Sequence, residues 1–256
     1  MDESTGKVKS LQKAIDILDE LSCARNGLTL SEISKRCGYP KSTVHALAST
    51  MRDRGLIRQL PDGSYALGIR LFEYGSAVSR AFDISDLARP YLESLSSLTG
   101  ANSVITMLDG DSAVSLDYAV SPSGVQIMPE LGVRLPLHCT SQGKLMLAFL
   151  PHNKVMSIYK KREMKQYTPH TVSDVESLAK ILADIRGLGY AIEDGEYKVG
   201  LRSVSAPVFD NSGTLRYALT TIGFFRRVSS DEFRYAVDAT VRQARMLSTA
   251  LGFEAT

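Results

Sequence analysis

The chain has 256 residues, of which 44% are hydrophobic and 23% charged, a composition typical of a globular protein rather than a disordered one. No apolar run approaches the ~20 residues that a membrane-spanning helix requires, and the acidic start, residues 1–4, does not resemble a signal peptide. The three cysteines form no CxxC pair, which argues for a reducing compartment and against a structural zinc site. We therefore expect a cytoplasmic protein of one large or two modest domains, with no membrane contact, metal ion or cofactor.

The net charge of +2 hides an uneven distribution along the chain. Residues 25–58 contain seven Lys and Arg against two acidic residues, whereas residues 84–256 contain 18 of each sign. A short basic segment is typical of phosphate contact, because each neutralised phosphate releases counterions. A solvated surface would give the same count, so charge alone does not identify a nucleic-acid site.

Three short helices are predicted at the start of the chain. Apolar residues recur at helical spacing in the first: Val8, Leu11, Ala14, Ile15, Leu18 and Leu21. The run Thr29-Leu30-Ser31-Glu32 predicts a capping box for a second helix, which Gly38 ends. A third helix is predicted over residues 41–54. Two short helices joined by a turn that contains glycine form a helix-turn-helix, whose second helix enters the major groove of DNA.

A β-hairpin is predicted directly after the third helix. Residues 55–60 and 65–67 are typical of strands, and Pro61-Asp62-Gly63-Ser64 is a strong turn signal. Such a hairpin forms the wing of a winged helix-turn-helix, whereas a plain helical hairpin, with Ser42 and Thr43 acting only as caps, does not account for it. The residues that we expect to contact DNA are Thr29, Lys41, Ser42, Thr43, His45, Ala46, Arg52 and Arg58.

The remaining chain alternates helices and strands. A helix predicted over residues 69–82 is either a connector between domains or a core helix of the second domain. Further helices are predicted over residues 84–98, from residue 141, after a capping box at 173–176 and after a second cap at 229–232. Strands are predicted near residues 103–108, 113–119, 125–128, 190–193, 203–209 and 215–222. Helices that flank a largely antiparallel sheet make an α+β fold.

Four stretches resemble the IclR family of bacterial transcriptional regulators: LTLSEISKRCGYPKSTVHALASTM, YALGIRLFEYG, LPLHCTSQGKLMLAFL and GYAIEDGEYKVGLRSVSAPVFDNSG. The resemblance covers nearly the whole chain. It implies a winged helix-turn-helix over residues 1–68, a linker helix over 69–83 that helps to pair two chains, and a GAF-like (PAS/profilin-like) effector-binding domain over 84–256. The family usually has a basic residue after the His of the third helix, where this chain has Ala46. The operator sequence is therefore not expected to follow that of relatives.

The segment around Ser141 suits a bound acid. A helix that starts beside a glycine offers backbone N–H groups and a partial positive charge to a carboxylate, although such a start is more often only a packing feature. The resemblance implies an effector pocket, with Glu193 and Asp194 at its rim. The residues that the resemblance assigns to this pocket are Ile127, Leu135, Ser141, Gln142, Gly143, Glu193, Leu201, Ser203, Thr220 and Ile222.

The resemblance to the IclR family also indicates how polar the effector is. Relatives that bind very small keto acids have small polar residues at three positions that here are Ser203, Thr220 and Ile222. We therefore expect a less polar effector, such as an aromatic acid or a related amide, rather than glyoxylate or pyruvate. The overall prediction is a ligand-responsive repressor of an adjacent catabolic operon, acting as a homodimer, or as a tetramer, on double-stranded operator DNA. An activator of the same kind is the alternative.

An enzyme and a protein-binding adaptor are the two other function classes that the sequence could suggest. An enzyme would use His138 and Cys139 as base and nucleophile, but neighbours in an extended segment point to opposite faces. The sequence has no GxSxG, P-loop, HExxH or GxGxxG motif. An adaptor would use the winged helix for protein contact, and salt-sensitive DNA binding would distinguish the two. We expect no enzyme activity.

Overall fold

A computed structural model describes residues 8–24, 26–81, 84–121, 131–160 and 163–254. Its helices and strands are α1 (Lys9–Ser22), α2 (Leu30–Cys37), α3 (Lys41–Asp53), β1 (Ile57–Gln59), β2 (Tyr65–Leu67), α4 (Ile69–Ala81), α5 (Ile84–Thr99), β3 (Asn102–Asp109), β4 (Ser112–Ala119), β5 (Arg134–Pro136), α6 (Ser141–Ala148), α7 (His152–Lys160), α8 (Val175–Leu188), β6 (Ala191–Asp194), β7 (Arg202–Phe209), β8 (Leu215–Gly223) and α9 (Asp231–Ala250). The chain divides into two compact units, Met1–Phe82 and Asp83–Thr256, and α4 belongs to the first.

The first unit is the predicted winged helix-turn-helix. Helices α1 to α3 enclose a core of fully buried side chains: Ile17, Ile33, Val44, Ala48 and Ile57. The predicted capping box starts α2, since Thr29 N donates to Glu32 Oε2 (2.8 Å) and Glu32 N donates to Thr29 Oγ1 (3.3 Å). Gly38 ends α2 at a φ of 70°, a left-handed conformation that favours glycine.

The wing is a two-stranded antiparallel hairpin. β1 pairs with β2 from Ile57 opposite Leu67 to Gln59 opposite Tyr65. The carboxylate of Asp62 accepts from the backbone N (3.0 Å) and the hydroxyl (2.6 Å) of Ser64, which closes the turn. Paired backbone hydrogen bonds between Leu28 and Tyr65 (2.8 and 2.9 Å) attach the hairpin to the segment that leads into α2.

The second unit is an antiparallel sheet covered by helices on both faces. The strand order is β5-β4-β3-β8-β7-β6. Leu219 of β8 lies in a core with α5 and α9, whereas its neighbour Ala218 lies in a core with α6 and α8. Successive residues of a strand point to opposite faces, so the sheet separates two layers of helices. The expected α+β fold is confirmed.

Several local expectations were incomplete or wrong. Helix α7 and strand β5 were not predicted, because α7 has one buried residue, Val155, and β5 is a three-residue edge strand that ends at a proline. Helix α8 is capped by Asp174, whose Oδ1 accepts from Ser177 N (2.8 Å), and not by a box at Ser173. The strand predicted over 125–128 lies outside the described residues. Within the described ranges, no helix combines the length and apolarity of a membrane span.

Candidate DNA-binding face and effector cavity

Helix α3 presents most of the predicted DNA-reading residues on its outer side. Its buried stripe, which includes Val44, Ala48 and Met51, packs into the core. Residues of the first two turns that lie outside this stripe are accessible: Lys41, Ser42, His45 and Ala46 are exposed, and Thr43 is half-buried. This alternation follows from the helical period, and it leaves the first turn of α3 free to approach a groove.

The flanking candidates differ in what their side chains already bind. Arg58 is exposed on β1, and Arg52 lies 3.7 Å from Asp53 in an exposed ion pair that costs little to break. The Thr29 hydroxyl donates to Glu32 (2.7 Å) while it accepts from the Glu32 backbone. Thr29 is therefore engaged in capping α2, and its hydrogen bonds hold the pKa of the Glu32 carboxyl below its usual value.

The second unit contains a cavity of about 180 Å³ between the sheet, the start of α6 and the segment 195–201. Seven predicted residues line it: Leu135, Gln142, Glu193, Leu201, Ser203, Thr220 and Ile222. Six lining residues were not predicted: Val104, Ser115, Val133, Thr140, Tyr197 and Lys198. Ser141 and Gly143 lie behind this wall rather than in it, and Ile127 is outside the described residues.

Strand register explains which side chains meet in the cavity. Thr220 and Ile222 are two residues apart on β8 and so face the same side. Val104 of β3 is the cross-strand partner of Thr220, and Ser203 of β7 is the partner of Ile222. The alternation of β8 could be read from the sequence, but the partners of its residues could not.

Glu193 is a wall residue and not, as expected, a rim residue. Its residue exposure is 2%, its Oε1 accepts from Tyr197 N (3.2 Å) and its Oε2 accepts from Ser203 Oγ (3.1 Å). Burial raises the pKa of this carboxyl to about 7. Asp194 points to the other side of β6, where it pairs with Arg202 (2.6 Å). Glu193 and Asp194 were both expected at the rim, but consecutive residues of a strand face opposite sides. The expectation for Glu193 was therefore wrong.

A chain of buried hydroxyls starts at Glu193 and connects two lining residues, Ser203 and Thr220, through Ser141 and Ser205, which do not line the cavity. Ser203 Oγ lies 2.7 Å from Ser141 Oγ, which lies 2.7 Å from Ser205 Oγ, which lies 2.7 Å from Thr220 Oγ1. Each of these four residues is at most 1% exposed. Ser141 therefore contributes to the site through other hydroxyls rather than by lining it.

The start of α6 is capped by Thr140 from within the protein. Thr140 Oγ1 accepts from Gly143 N (3.2 Å) and donates to Pro136 O (2.8 Å). One of the N–H groups expected to face an acid is thus already paired, and Thr140 itself lines the cavity.

A buried ion pair fixes the segment that closes one side of the cavity. The Lys144 ammonium, on a residue 2% exposed, donates to the Glu196 carboxylate. The Thr171 hydroxyl donates to the Glu196 carbonyl (2.6 Å), and the Thr168 hydroxyl donates to the neighbouring Gly195 carbonyl (2.7 Å). These bonds hold the following residue, Tyr197, at the cavity.

His138 and Cys139 do not form a base–nucleophile pair. A carbonyl oxygen can only accept, so His138 Nε2 donates to Lys165 O (2.9 Å). The ring lines a second cavity of about 310 Å³. Cys139 is fully buried, and burial raises the pKa of its thiol to about 12, so it stays protonated at neutral pH. Among the described residues, no group of three or more His, Cys, Asp or Glu could hold a metal ion.

Both units of the chain match known protein families. A model of the IclR helix-turn-helix domain matches residues 10–61, and a model of the C-terminal region of the bacterial transcriptional regulator IclR matches residues 76–249. The transcriptional regulator XynR of Escherichia coli K12 is 31% identical over 97% of this chain and 99% of its own. The repressor AllR of the same strain is 30% identical over 96% of this chain and 92% of its own.

A solved structure shows the same architecture. The IclR protein of Thermotoga maritima is 28% identical and superposes with a TM-score of 0.77 over 96% of this chain and 99% of its own. These relatives are named as regulators of transcription and not as enzymes. The two matched models together with the full-length relatives show that this chain belongs to the IclR family of bacterial transcriptional regulators, which pair a DNA-binding helix-turn-helix with an effector domain.

Proposed function

We propose that this protein represses an adjacent catabolic operon from the cytoplasm and that a small organic acid, or a related amide, with an apolar or aromatic body modulates this repression. In this proposal residues 1–68 bind operator DNA, residues 69–83 connect the domains and residues 84–256 bind the effector. The observation that carries the effector class is the composition of the cavity wall. Leu135, Leu201 and Ile222 provide apolar surface, and Ser203 and Thr220 provide hydroxyls.

The size and charge of the cavity favour a small ligand of low charge. A volume of about 180 Å³ is below the ~300–1,000 Å³ of sites for drug-sized molecules, which suits a single ring or a short aliphatic acid. The charged side chains among the described lining residues are Glu193 and Lys198. A dianion would bring two negative charges to the single cationic side chain among the described lining residues, Lys198, whereas a monoacid brings one negative charge and an amide brings none.

DNA recognition in this proposal uses α3 and the wing. The first turn of α3 offers Ser42, Thr43 and His45 to base edges, with Arg52 and Arg58 for phosphates. A homodimer, or a pair of dimers, would bind a near-palindromic operator, because two-fold protein symmetry matches two-fold operator symmetry. The effector can act only by binding DNA-competent and incompetent arrangements with different affinity, and we expect α4 to carry that difference.

The test is operator binding by the purified full-length protein in the presence of ligands. The operator fragment comes from the DNA next to the gene, and the ligands are benzoate, 4-hydroxybenzoate, benzamide, pyruvate and glyoxylate. We expect an aromatic ligand to raise the melting temperature and to change operator affinity, and Ile222→Asp to lose both effects while DNA binding by the free protein is retained.

Ser42→Ala with Thr43→Ala should lower operator selectivity without changing ligand binding. A matched control is Ser177→Ala with Thr249→Ala, at exposed hydroxyls of the other unit. Ligand binding without any change in operator affinity would contradict the regulatory proposal, and an unchanged selectivity in the α3 variant would contradict the DNA-reading assignment.

A further inference from the structure

The hydroxyl chain from Glu193 to Thr220 has a direction, because each hydroxyl has one proton to donate. Ser203 donates to the ionised carboxylate of Glu193 (3.1 Å). Its contact with Ser141 (2.7 Å) therefore takes the Ser141 proton, in preference to the longer contact between Ser141 Oγ and Gln142 Oε1 (3.2 Å). Ser205 must then donate to Ser141, and Thr220 must donate to Ser205. With Glu193 ionised, Thr220 has spent its proton on Ser205 and presents only lone pairs to the cavity.

Protonation of Glu193 permits the opposite direction. A neutral carboxyl group can donate to Ser203, which frees Ser203 to donate to Ser141, Ser141 to donate to Ser205 and Ser205 to donate to Thr220. Every hydrogen bond of the chain is kept, with donor and acceptor exchanged at each step. Thr220 then accepts from Ser205, and its own proton is available to a ligand.

We propose that these four hydroxyls form a reversible relay in which the protonation state of Glu193 decides whether Thr220 donates or accepts in the cavity, so that an effector carboxylate at Thr220 is taken up together with one proton. The inference rests on the proposed effector cavity, and it names how that cavity selects its ligand. Ser141 and Ser205 are positioning residues here, since neither lines the cavity.

The surroundings of Glu193 allow it to change state near neutral pH. Among the described residues, the titratable and charged groups around it are Glu196 and Lys198 of the following segment, Lys144 of α6 and the Cys139 thiol. Lys144 and Glu196 neutralise one another in a direct ion pair, and the buried thiol stays neutral. Burial is the largest influence on Glu193 and raises its pKa to about 7, so a modest stabilisation of one relay direction changes its protonation.

Calorimetric titration of the full-length protein with benzoate tests the relay, because benzoate has no second group that ionises near neutral pH. Titration at pH 8 in two buffers with different heats of ionisation gives the number of protons taken up. We expect close to one proton for each bound benzoate, and an affinity that falls about tenfold per pH unit above pH 7.

Ser205→Ala separates the relay from simple repulsion between two carboxylates. Ser205→Ala removes the acceptor to which Thr220 donates when Glu193 is ionised. Thr220 can then donate to benzoate in either state of Glu193, so benzoate should bind with little proton uptake and little pH dependence. Direct repulsion by Glu193 would survive this substitution, and proton uptake that persists in Ser205→Ala overturns the proposal. Ser103→Ala is the matched control, since Ser103 is a fully buried strand serine that bonds Leu92 O (2.6 Å) and not the relay.

A second measurement needs no ligand and decides the relay even if benzoate fails to bind, a failure that would contradict only the proposed effector class. Carbon NMR follows the titration of the Glu193 carboxyl in the free protein. Donors polarised along a chain strengthen one another, so Ser205→Ala should raise the pKa of Glu193 although Ser205 does not touch it, and Ser103→Ala should leave it unchanged. An unchanged or lowered pKa in Ser205→Ala would overturn the relay.

Discussion

Gly143, in the first turn of α6, lies against the backbone of the segment that leads into the helix. A Cβ at this position would lie 2.5 Å from Leu137 Cα, 2.6 Å from Leu137 O and 2.6 Å from Thr140 Oγ1. Two of these atoms belong to the backbone and cannot rotate away. Gly143→Ala must therefore displace Leu137 or α6, and with it the Thr140 cap at the cavity.

Gly187 of α8 is the matched control, because a Cβ there would meet nothing within 4 Å. Both substitutions gain helix propensity, at most ~1 kcal/mol each. The difference between the two variants therefore isolates the cost of overpacking, which is ~1–3 kcal/mol in well-packed sites. For a domain of this size that difference corresponds to ~2–12 °C in melting temperature.

Scanning calorimetry is the appropriate assay, since a chain with two units need not unfold in one step. We expect Gly143→Ala to melt below the wild type in the transition of the second unit, and Gly187→Ala to melt at or above it. If both variants melt together, the contact between Gly143 and Leu137 is not tight, and the account of why α6 starts with a glycine fails.

Three further predictions concern the cap of α2, the buried carboxyl and the buried thiol. Thr29→Ala should destabilise the first unit by ~0.5–2 kcal/mol in urea unfolding, because it removes the capping box. The control Thr249→Ala, on the surface of α9, should have little effect. Equal stabilities of the two variants would refute the capping role of Thr29. The raised pKa of Glu193 means that the folded state binds more protons than the unfolded state, so its contribution to stability decreases from about pH 4.5 to about pH 7. The free energy of unfolding of Glu193→Gln, measured in urea relative to that of the wild type, should therefore rise across that window and stay level above it. A difference that does not depend on pH would show that Glu193 titrates normally. Cys139 should resist iodoacetamide in the native protein at pH 7.5 while the exposed Cys23 reacts, and mass spectrometry that finds Cys139 labelled before unfolding would contradict its burial.

Features that depend on neighbours in sequence could be predicted from the sequence. The capping box at Thr29, the left-handed Gly38 and the Asp62 turn involve contacts over two to three residues or a single backbone angle, so residue type alone indicates them. The apolar periodicity of α3 likewise indicated which side faces outward. The family signatures placed seven of the ten predicted pocket residues around one cavity, but they assigned Glu193 to the rim.

The chemistry of the cavity was decided only by the tertiary structure. The hydroxyls of Ser141 and Ser203 are 62 residues apart in sequence, and those of Ser141 and Ser205 are 64 apart. Their contact depends on the register of β7 against β8 and on how α6 packs on the sheet, and neither leaves a signal in local sequence. Burial of Glu193 has the same origin, because a carboxyl on a strand becomes a wall residue only when helices and loops cover that face. The sequence by itself determined a DNA-binding unit and an effector domain, and three-dimensional packing determined which polar groups the effector domain turns toward its cavity.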